Sequence, residues 1–316
     1  MRKFDLEHVY ESQQFDTELL DIIFNVADEM KNDLAAEQRR YSQVLKDKIM
    51  ASLFYEPSTR TRFSFESAMA RLGGSILTTE NAKEFSSASK GETLYDSTMV
   101  MCGYADLIVM RHNEPGSAKI AAEASSVPVI NAGDGSGQHP TQALLDLYTI
   151  RDCFPAVDNL SIAMVGDLKY GRTVRSLSYL LTKYDNITIY FVSPSVCKMD
   201  DDIKDYLTVN NVKWRDESSL EKVLPLVDCV YMTRIQRERF HDPEDYEQAA
   251  GKYIIDVEQV GLMKKESIIM HPLPRVDEIS QEVDNDPRAQ YFQQAGNGLF
   301  IRMALLFLLL GKDVDD

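Results

Sequence analysis

The stretch I-M-A-S-L-F-Y-E-P-S-T-R-T-R-F-S-F-E-S-A-M-A-R-L, residues 49–72, passes from an apolar strand pattern through a polar turn into a helical pattern. It predicts a strand over Ile49–Tyr55 and a helix over Thr61–Leu72. The same alternation continues to the end of the chain. Further predicted strands are Leu107–Met110, Val127–Asn131, Leu160–Val165, Ile187–Val192, Cys229–Thr233, Tyr253–Asp256 and Ile268–Met270, and further predicted helices are Ser117–Ala124, Pro140–Asp152, Thr173–Tyr184, Asp201–Asn210 and Gly298–Leu310. Alternating apolar strands and helices are typical of parallel sheets covered by helices on both faces.

The chain length favours two domains. At about 100–200 residues per domain, 316 residues suggest two. The Gly/Asp/Ser-rich stretch Asn131–Gln138 is the candidate boundary, and the helix after it would bridge the halves. We predict an α/β fold of two domains, each a parallel sheet flanked by helices and joined by bridging helices. The predicted domains are residues 1–140 with the C-terminal helix 297–316, and residues 141–296.

Composition excludes several classes of protein. With 34 Lys+Arg against 50 Asp+Glu, the formal net charge is −16, which opposes binding to nucleic acid and to anionic lipid. The N-terminus lacks a secretory pattern, and the apolar run Met303–Leu310 is too short to span a membrane. The four cysteines are dispersed, so neither a disulfide scaffold nor a metal site is expected. We therefore expect a cytoplasmic protein.

The turn Glu56–Arg62 is the first candidate site. A loop that opens a helix after a strand presents unpaired N–H groups and a positive dipole end to an anion. Ser58, Thr59 and Thr61 add hydroxyl donors, and Arg60 adds a guanidinium suited to phosphate. The alternative is an ordinary N-cap, which would explain one hydroxyl but not the whole set. Arg62 would point elsewhere, toward either an internal ion pair or a ligand.

Further candidates follow the other strands. Arg111 ends one strand, where it either binds a ligand or is a surface charge. His139 and Gln142 share a helix start and fit a carbonyl and an amide, unless His139 is a satisfied core residue. Arg172 opens a helix, and Arg234 follows a strand.

Two neighbouring segments leave similar alternatives. Arg237 and Arg239, close behind Arg234, fit surface charge. The H-P-L-P-R segment 271–275 restricts its backbone and leaves carbonyls free to accept hydrogen bonds, or it is simply a rigid turn. A cis Leu273–Pro274 bond is one option there.

Together these loops describe one kind of site. Arg60, Arg111, Arg172 and Arg234 all stand at carboxyl ends of predicted strands, where open α/β sheets bind ligands. This placement predicts a cleft for a multiply charged anion, or for two anions, inside an acidic protein. The sequence shows neither a Ser-His-Asp arrangement nor a metal-ligand cluster.

The number and order of these motifs resemble the aspartate/ornithine carbamoyltransferase family, and within it the aspartate branch. The likeness runs from about residue 48 to residue 311. Its segments are F-Y-E-P-S-T-R-T-R (54–62), S-K-G-E-T-L (89–94), V-M-R-H (109–112), N-A-G-D-G-S-G-Q-H-P-T-Q (131–142), G-D-L-K-Y-G-R-T-V (166–174), M-T-R-I-Q-R-E-R (232–239) and H-P-L-P-R (271–275). The ornithine branch carries S-M-G and H-C-L-P where this chain has T-R-I-Q and H-P-L-P.

The resemblance implies roles for named residues. The first domain would bind carbamoyl phosphate and the second aspartate. The phosphate would be held by Ser58, Thr59, Arg60, Thr61 and Arg111, with Ser86 and Lys90 donated by the neighbouring subunit of a homotrimer. Thr61, Arg111 and His139 would surround the carbonyl oxygen, and Gln142 with the carbonyls around Pro272 and Leu273 would take the NH₂ group. Arg172, Arg234 and Gln236 would hold the aspartate carboxylates, with Lys90 and Leu273 also at that substrate.

The implied reaction needs no cofactor and no metal. The uncharged amine of aspartate would attack carbamoyl phosphate and give N-carbamoyl-L-aspartate, a step of pyrimidine biosynthesis. Whether a separate regulatory chain binds stays open at this point. The rivals are an enzyme for another acceptor such as ornithine, and a catalytically silent scaffold subunit.

Overall fold

The computed structural model describes residues 3–37, 39–237, 240 and 242–311. The chain forms two compact units, Met1–Leu144 with Asn297–Asp316, and Leu145–Gly296. Of the residues singled out above, Arg239 lies outside the described ranges. The strands are β1 Ile49–Phe54, β2 Ser75–Glu80, β3 Leu107–His112, β4 Val129–Asp134, β5 Ser161–Val165, β6 Thr188–Val192, β7 Lys213–Glu217, β8 Cys229–Met232 and β9 Ile268–Met270. The helices are α1 Thr17–Ala35, α2 Thr59–Arg71, α3 Ala82–Phe85, α4 Leu94–Met101, α5 Ser117–Ala124, α6 Pro140–Cys153, α7 Arg172–Leu181, α8 Asp201–Val209, α9 Leu220–Val223, α10 Pro243–Ala249, α11 Val257–Leu262 and α12 Tyr291–Leu310.

The first unit is built on a parallel sheet of strand order β2-β1-β3-β4. Its central strands β1 and β3 are apolar and largely buried. In the register of the sheet, Phe54 of β1 pairs with Arg111 of β3, and His112 pairs with Asp134 of β4. The loops that leave β1, β3 and β4 therefore begin side by side at the carboxyl edge.

The second unit repeats this design with the order β7-β6-β5-β8-β9, again all parallel. Val165 of β5 pairs with Met232 of β8, so the loops after these two strands also start together. The α/β prediction of parallel sheets flanked by helices is confirmed. In an all-parallel sheet every strand returns through a crossover, which is why each strand end carries a loop leading into a helix.

Four elements of the second half and the edges of the sheets differ clearly from the sequence prediction. Tyr253–Asp256 forms no strand, because only Ile255 makes a bridge, to Ile279, and Asp256 already caps α11 by accepting hydrogen bonds from two backbone N–H groups. The edge strands β2 and β7 were not predicted, since exposed polar residues hide their pattern. Helix α12 begins at Tyr291, seven residues before the predicted start at Gly298.

Among the described residues, helix α12 is the one that is long and apolar enough to cross a membrane by length and composition. Of its most apolar window, 61% is buried within the structure, as expected of a helix that packs in a protein core. Arg302 in its middle is buried as well, donates a hydrogen bond to Ser64 Oγ (2.8 Å) and lies over the ring of Phe65.

Candidate active site

The turn between β1 and α2 provides the first part of the site. Helix α2 begins at Thr59, and Ser58 occupies its N-cap position. The Ser58 side chain accepts no capping hydrogen bond, so it leaves the N–H groups of the first turn to other partners. The alternative that Ser58 is an ordinary N-cap is therefore wrong. The positive end of the 13-residue helix α2 lies at the carboxyl edge of the sheet.

The two arginines of this turn have different surroundings. Arg60 is exposed, and desolvation lowers its pKa, although a guanidinium titrates far enough above neutrality to keep its charge. Arg62 is largely buried and pairs with Glu80 (2.9 Å) and with Glu66 (3.7 Å). The structure thus gives Arg62 the internal ion pair and leaves Arg60 facing outward.

Arg111 joins the ends of three strands. It lies in β3, and its carbonyl oxygen accepts a hydrogen bond from Tyr55 N (2.8 Å) just after β1. Its guanidinium lies 3.2 Å from Glu56 Oε1 and donates to the carbonyl oxygen of Ala132 in β4 (3.3 Å). A half-buried positive charge is therefore held at the same edge as the start of α2, with one carboxylate beside it.

The loop after β4 places His139 and Gln142. The Asp134 carboxylate accepts hydrogen bonds from Gln138 N (2.6 Å) and Gly116 N (2.8 Å). Gly135 has φ +53°, and a Cβ there would lie 2.6 Å from the carbonyl oxygen of Asn113, so only glycine fits. His139 and Gln142 are both buried, and the carbonyl of His139 accepts from Gln142 N (3.0 Å) as α6 begins.

Ser86 and Lys90 lie apart from these loops in the chain, on the connection between α3 and α4. The Ser86 hydroxyl donates to the carbonyl oxygen of Ala82, and Lys90 is exposed at the end of a 3-10 turn. Within the described residues, Lys90 forms no hydrogen bond or ion pair with a side chain of β1, β3 or β4. The structure of one chain thus presents Lys90 on a surface connection.

In the second unit, the loops after β5 and β8 touch directly. Gly166 has φ +108°, and a Cβ there would lie 2.3 Å from the carbonyl oxygen of Thr233. Thr233 in turn donates its N–H and its hydroxyl to the carbonyl oxygen of Val165, both at 2.8 Å. Arg172 is buried at the first turn of α7, and Arg234 follows Thr233 half-buried. Because Gly166 has no side chain, the loop that leads to Arg172 can contact the loop that carries Arg234 where the two leave the neighbouring strands β5 and β8.

A cavity of about 160 Å³ lies beside the second loop. Arg234 and Arg237 line it from the β8 loop, Tyr246 from α10, and Glu278 from the chain after the H-P-L-P segment. Gln236 is half-buried in the same loop, between the two arginines. The cavity has the size for a small molecule, and its lining combines the two arginines with two carboxylates, Asp277 and Glu278.

The H-P-L-P loop follows β9 and contains a cis Leu273–Pro274 bond, the option raised by its sequence. His271 is buried; its Nδ1 accepts from Leu273 N (2.8 Å), and its Nε2 lies 2.8 Å from Glu278 Oε1. Because Nδ1 accepts, Nε2 carries the proton and donates to Glu278. Burial alone would raise the pKa of Glu278, but the hydrogen bond from His271 and two backbone N–H groups lower it. Pro272 and Leu273 are thereby held half-buried at the loop tip.

Sequence reasoning missed several polar partners of these loops. Glu56 beside Arg111 was only part of a quoted motif, and its role shows only when β1 and β3 pair. Asp146, Tyr231 and Gln294 form a buried hydrogen-bonded group behind the second-unit loops. A charged residue inside the apolar run Ala143–Tyr148 was the one available signal for it.

Comparison with known proteins places this architecture. Residues 7–152 match the family model "Aspartate/ornithine carbamoyltransferase, carbamoyl-P binding domain", and residues 158–309 match its "Asp/Orn binding domain". The chloroplastic aspartate carbamoyltransferase of Arabidopsis thaliana is 60% identical over 98% of this chain and 79% of its own length.

Solved structures agree in fold. Aspartate transcarbamoylase from Trypanosoma cruzi in complex with carbamoyl phosphate and aspartate has a TM-score of 0.90 at 38% identity, over 96% of this chain and 97% of that one. The catalytic subunit of Methanocaldococcus jannaschii aspartate transcarbamoylase has a TM-score of 0.89 at 47% identity, over 98% and 100%. The two family models span nearly the whole chain in the family's own order, and the chain belongs to the aspartate/ornithine carbamoyltransferase family.

Proposed function

We propose that this protein transfers the carbamoyl group of carbamoyl phosphate to the α-amine of L-aspartate and releases N-carbamoyl-L-aspartate and phosphate. One observation carries the proposal. Relatives that align along nearly the whole chain are aspartate carbamoyltransferases, and one of them has been solved with carbamoyl phosphate, with aspartate and with carbamoyl aspartate. The loops at the strand ends supply the cationic and hydrogen-bonding groups that these two substrates need.

The phosphate of the donor fits the start of α2. Ser58, Thr59 and Thr61 offer hydroxyls there, Arg60 offers an exposed guanidinium, and the helix dipole favours a negative charge. Arg111, held at the neighbouring strand end, supplies a second cation. These groups would fix the donor by charge-assisted hydrogen bonds, which are stronger than neutral ones.

The carbamoyl group would be oriented by neutral groups and by Arg111. Thr61, Arg111 and His139 are assigned to the carbonyl oxygen, where negative charge develops as the amine attacks. The NH₂ group is assigned to the Gln142 amide and to the carbonyls of Pro272 and Leu273. A preorganised donor at a developing oxyanion typically contributes about 10²–10³ in rate.

Aspartate would bring two carboxylates to the second unit. Arg172, Arg234 and Gln236 are assigned to them, and the loops of the two arginines meet at Gly166 and Thr233. A cationic acceptor such as ornithine would be repelled at Arg234. Charge therefore favours aspartate at this loop.

The reaction would proceed without a covalent enzyme intermediate. The uncharged amine of aspartate attacks the carbonyl carbon, a C–N bond forms, and the C–O bond to phosphate breaks. The leaving phosphate takes the amine proton. Orientation of two bound substrates and electrostatic stabilisation would supply most of the rate.

A product assay tests the function. The purified protein is incubated with carbamoyl phosphate and either aspartate or ornithine, and the carbamoylated amino acids are separated by chromatography. We expect N-carbamoyl-L-aspartate and a stoichiometric release of phosphate. Formation of citrulline would identify the ornithine activity instead, and absence of both products from a folded protein would favour the scaffold alternative.

We further propose a homotrimer in which Ser86 and Lys90 complete the site of the neighbouring chain. Lys90 is exposed on the connection that leads into α4, and Phe85, Tyr95 and Met99 beside it are large apolar side chains with at least half their surface exposed. A second copy of the chain would cover them, as expected for a closed symmetric oligomer.

Subunit mixing tests the shared site. Lys90→Ala and Arg60→Ala proteins are each inactive by this proposal, but a mixture that has exchanged subunits regains roughly a quarter of the wild-type sites, the random fraction with both residues intact. The control mixes Arg60→Ala with Arg111→Ala. These residues belong to one chain, so no hybrid restores a site; recovery in the control, or none in the first mixture after verified exchange, contradicts sharing.

We propose a cytoplasmic location on the ground that no disulfide joins any of the four cysteines, all of which lie in the described residues. Several relatives are chloroplastic proteins, so imaging of the tagged full-length protein in its own cell is the direct check. Fluorescence confined to an organelle would contradict the proposal.

A further inference from the structure

A buried carboxylate lies behind the loops of the second unit. Asp146 of α6 is fully buried; Tyr231 donates its hydroxyl to Oδ2 (2.7 Å), and Gln294 of α12 donates its amide to Oδ1 (2.6 Å). The surface exposure of Tyr231 is 0% and that of Gln294 is 1%. A carboxylate in such surroundings is costly unless both oxygens are hydrogen-bonded. The arrangement is therefore specific rather than incidental packing.

Each partner of Asp146 leads to a different substrate loop. Tyr231 lies in β8, three residues before Arg234, and burial together with the Asp146 carboxylate raises its pKa well above the usual value. The side chain of Thr173, the neighbour of Arg172 in α7, lies close enough to this phenol to oppose that rise in pKa. Gln294 Oε1 accepts from His271 N (2.9 Å), the first residue of the H-P-L-P loop.

The directions of these hydrogen bonds follow from the carboxylate. An ionised carboxylate only accepts, so Gln294 must turn its NH₂ toward Asp146 and its carbonyl oxygen toward His271 N–H. By the same rule Tyr231 donates to Asp146, and its oxygen faces the side chain of Thr173 beside Arg172. One charge thus sets the orientation of groups that reach all three loops.

We propose that Asp146 is a positioning residue that sets where the loops of Arg172, Arg234 and Leu273 leave the sheet; the proposal rests on the proposed function. The acceptor and the carbamoyl group must meet in a defined geometry, and displacement by about 1 Å can cost about 10² in rate. Asp146 acts through Tyr231 and Gln294 rather than on the substrate.

Hydroxyl deletion is the first test. Tyr231→Phe keeps the ring and removes the bond to Asp146, and Asp146→Asn keeps the shape but leaves one donor facing another donor. We expect both to raise the KM for aspartate and to lower kcat by about tenfold each, the scale of a hydrogen bond to a charged group. The dissociation constant of carbamoyl phosphate should rise less than the KM for aspartate, because its phosphate is assigned to the first unit and only its NH₂ group reaches the H-P-L-P loop. Ser178→Ala is the matched control, because Ser178 is also fully buried in this unit but bonds to Val174 O and to Met164 Sδ rather than to Asp146, Tyr231 or Gln294.

A pH profile separates positioning from packing. In Gln294→Glu, two facing carboxyl groups would hold one proton between them, and the protonated glutamate reproduces both hydrogen bonds of the amide. Its aspartate kinetics should approach wild type at pH 6 and decline relative to wild type as pH rises. Gln294→Met, of similar volume without these bonds, should be at least tenfold worse than Gln294→Glu at pH 6. Equal activity of the two variants would overturn the proposal.

Hydrogen exchange of the unliganded proteins makes the test independent of the reaction. The amides of His271 and Leu273 should exchange faster in Asp146→Asn and Tyr231→Phe, and at the wild-type rate in Ser178→Ala. If the wild-type enzyme forms no carbamoyl aspartate, the proposed function fails while the exchange data still decide the positioning role. The positioning role is overturned if both variants show unchanged hydrogen exchange and unchanged aspartate kinetics. It is also overturned if the affinity for carbamoyl phosphate falls by as much as the affinity for aspartate.

Discussion

Arg60 and Arg62 stand two residues apart on α2, and their surroundings predict opposite roles. Arg60→Ala removes an exposed cation assigned to phosphate, so we expect kcat/KM to fall at least about 10²-fold with a change in unfolding free energy of about 0.5 kcal/mol or less. Steady-state kinetics and thermal unfolding of the same preparation measure both. A variant that retains more than about a tenth of the activity would remove Arg60 from the phosphate site.

Arg62→Ala is the companion variant. It deletes the partner of Glu80 and Glu66, and Glu66 also accepts hydrogen bonds from Ser52 and Thr78. Losing one partner of a largely buried cluster typically costs about 1–3 kcal/mol. We expect a lower unfolding temperature and turnover by the folded fraction within a few-fold of wild type. The opposite pattern, full stability with lost turnover, would assign Arg62 to a ligand.

At the residue scale, the sequence predicts which groups stand at strand ends but not what they pair with. Arg111 and Arg234 were found because a charge directly after an apolar strand is visible in one dimension. The pairing of Arg111 with Glu56 depends on the register between β1 and β3, which no local pattern encodes. The hydrogen bonds of Asp146 could not be predicted from the sequence either, because its partners Tyr231 and Gln294 lie 85 and 148 residues away in the chain.

At the element scale, Gly166 tests whether the β5 and β8 loops must touch. An alanine there is strained at φ +108° and would place Cβ 2.3 Å from the carbonyl oxygen of Thr233. Gly166→Ala should therefore displace the loop of Arg234 and raise the KM for aspartate by tenfold or more, on the order of 10²-fold per ångström of misplacement. Aspartate saturation kinetics at fixed carbamoyl phosphate measure this effect.

Gly261→Ala is the control for that variant. Gly261 lies in α11, and nothing within 4 Å would meet its Cβ. Alanine is the better helix former by about 1 kcal/mol, so this variant should be as active as wild type and equally or more stable. Equal kinetics of the two variants would show that the loop contact at Gly166 is not needed for aspartate binding.

Elements were predictable in proportion to their burial. The central strands β1, β3, β5 and β8 carry continuous apolar runs and were found within a few residues. The edge strands β2 and β7 expose most of their residues, so their sequences lack the apolar pattern that predicts a strand. The start of α12 was placed too late because Gly296 and Gly298 interrupt its helical pattern, although its first buried turn already carries Gln294.

At the scale of the whole molecule, the net charge of −16 and an anion-binding role are compatible, because the two concern different surfaces. The acidic excess repels polyanions from the exterior. The arginines assigned to substrates lie at strand ends, where helix dipoles and backbone N–H groups add to their field. Two small anions can be bound by that local arrangement while a nucleic acid, which needs an extended basic face, is not.

The same acidic molecule has two histidines that predict how the stability of the first unit depends on pH. His8 Nδ1 accepts a hydrogen bond from Val129 N (3.1 Å), and His112 Nδ1 is bonded by Glu114 N and Ser117 Oγ. Partial burial lowers the pKa of both rings, with neighbouring carboxylates opposing the effect. Protonation would also replace each acceptor by a donor facing an N–H group.

Both histidines should therefore destabilise the fold in acid. The unfolded chain takes up these protons near pH 6.5, while the folded chain takes them up only at lower pH, so stability is complete above pH 6.5 and falls as pH falls through the folded pKa values. The slope is at most about 1.4 kcal/mol per pH unit for each histidine, and partial exposure makes it smaller.

Chemical unfolding of the wild-type protein at pH 7.5, 6.5 and 5.5 measures this slope. The double variant His8→Asn, His112→Asn keeps a non-titrating acceptor close to the place of Nδ1, so its unfolding free energy should fall less between pH 7.5 and 5.5. If the variant and the wild type lose the same amount, the acid sensitivity comes from the carboxylates and not from these two rings.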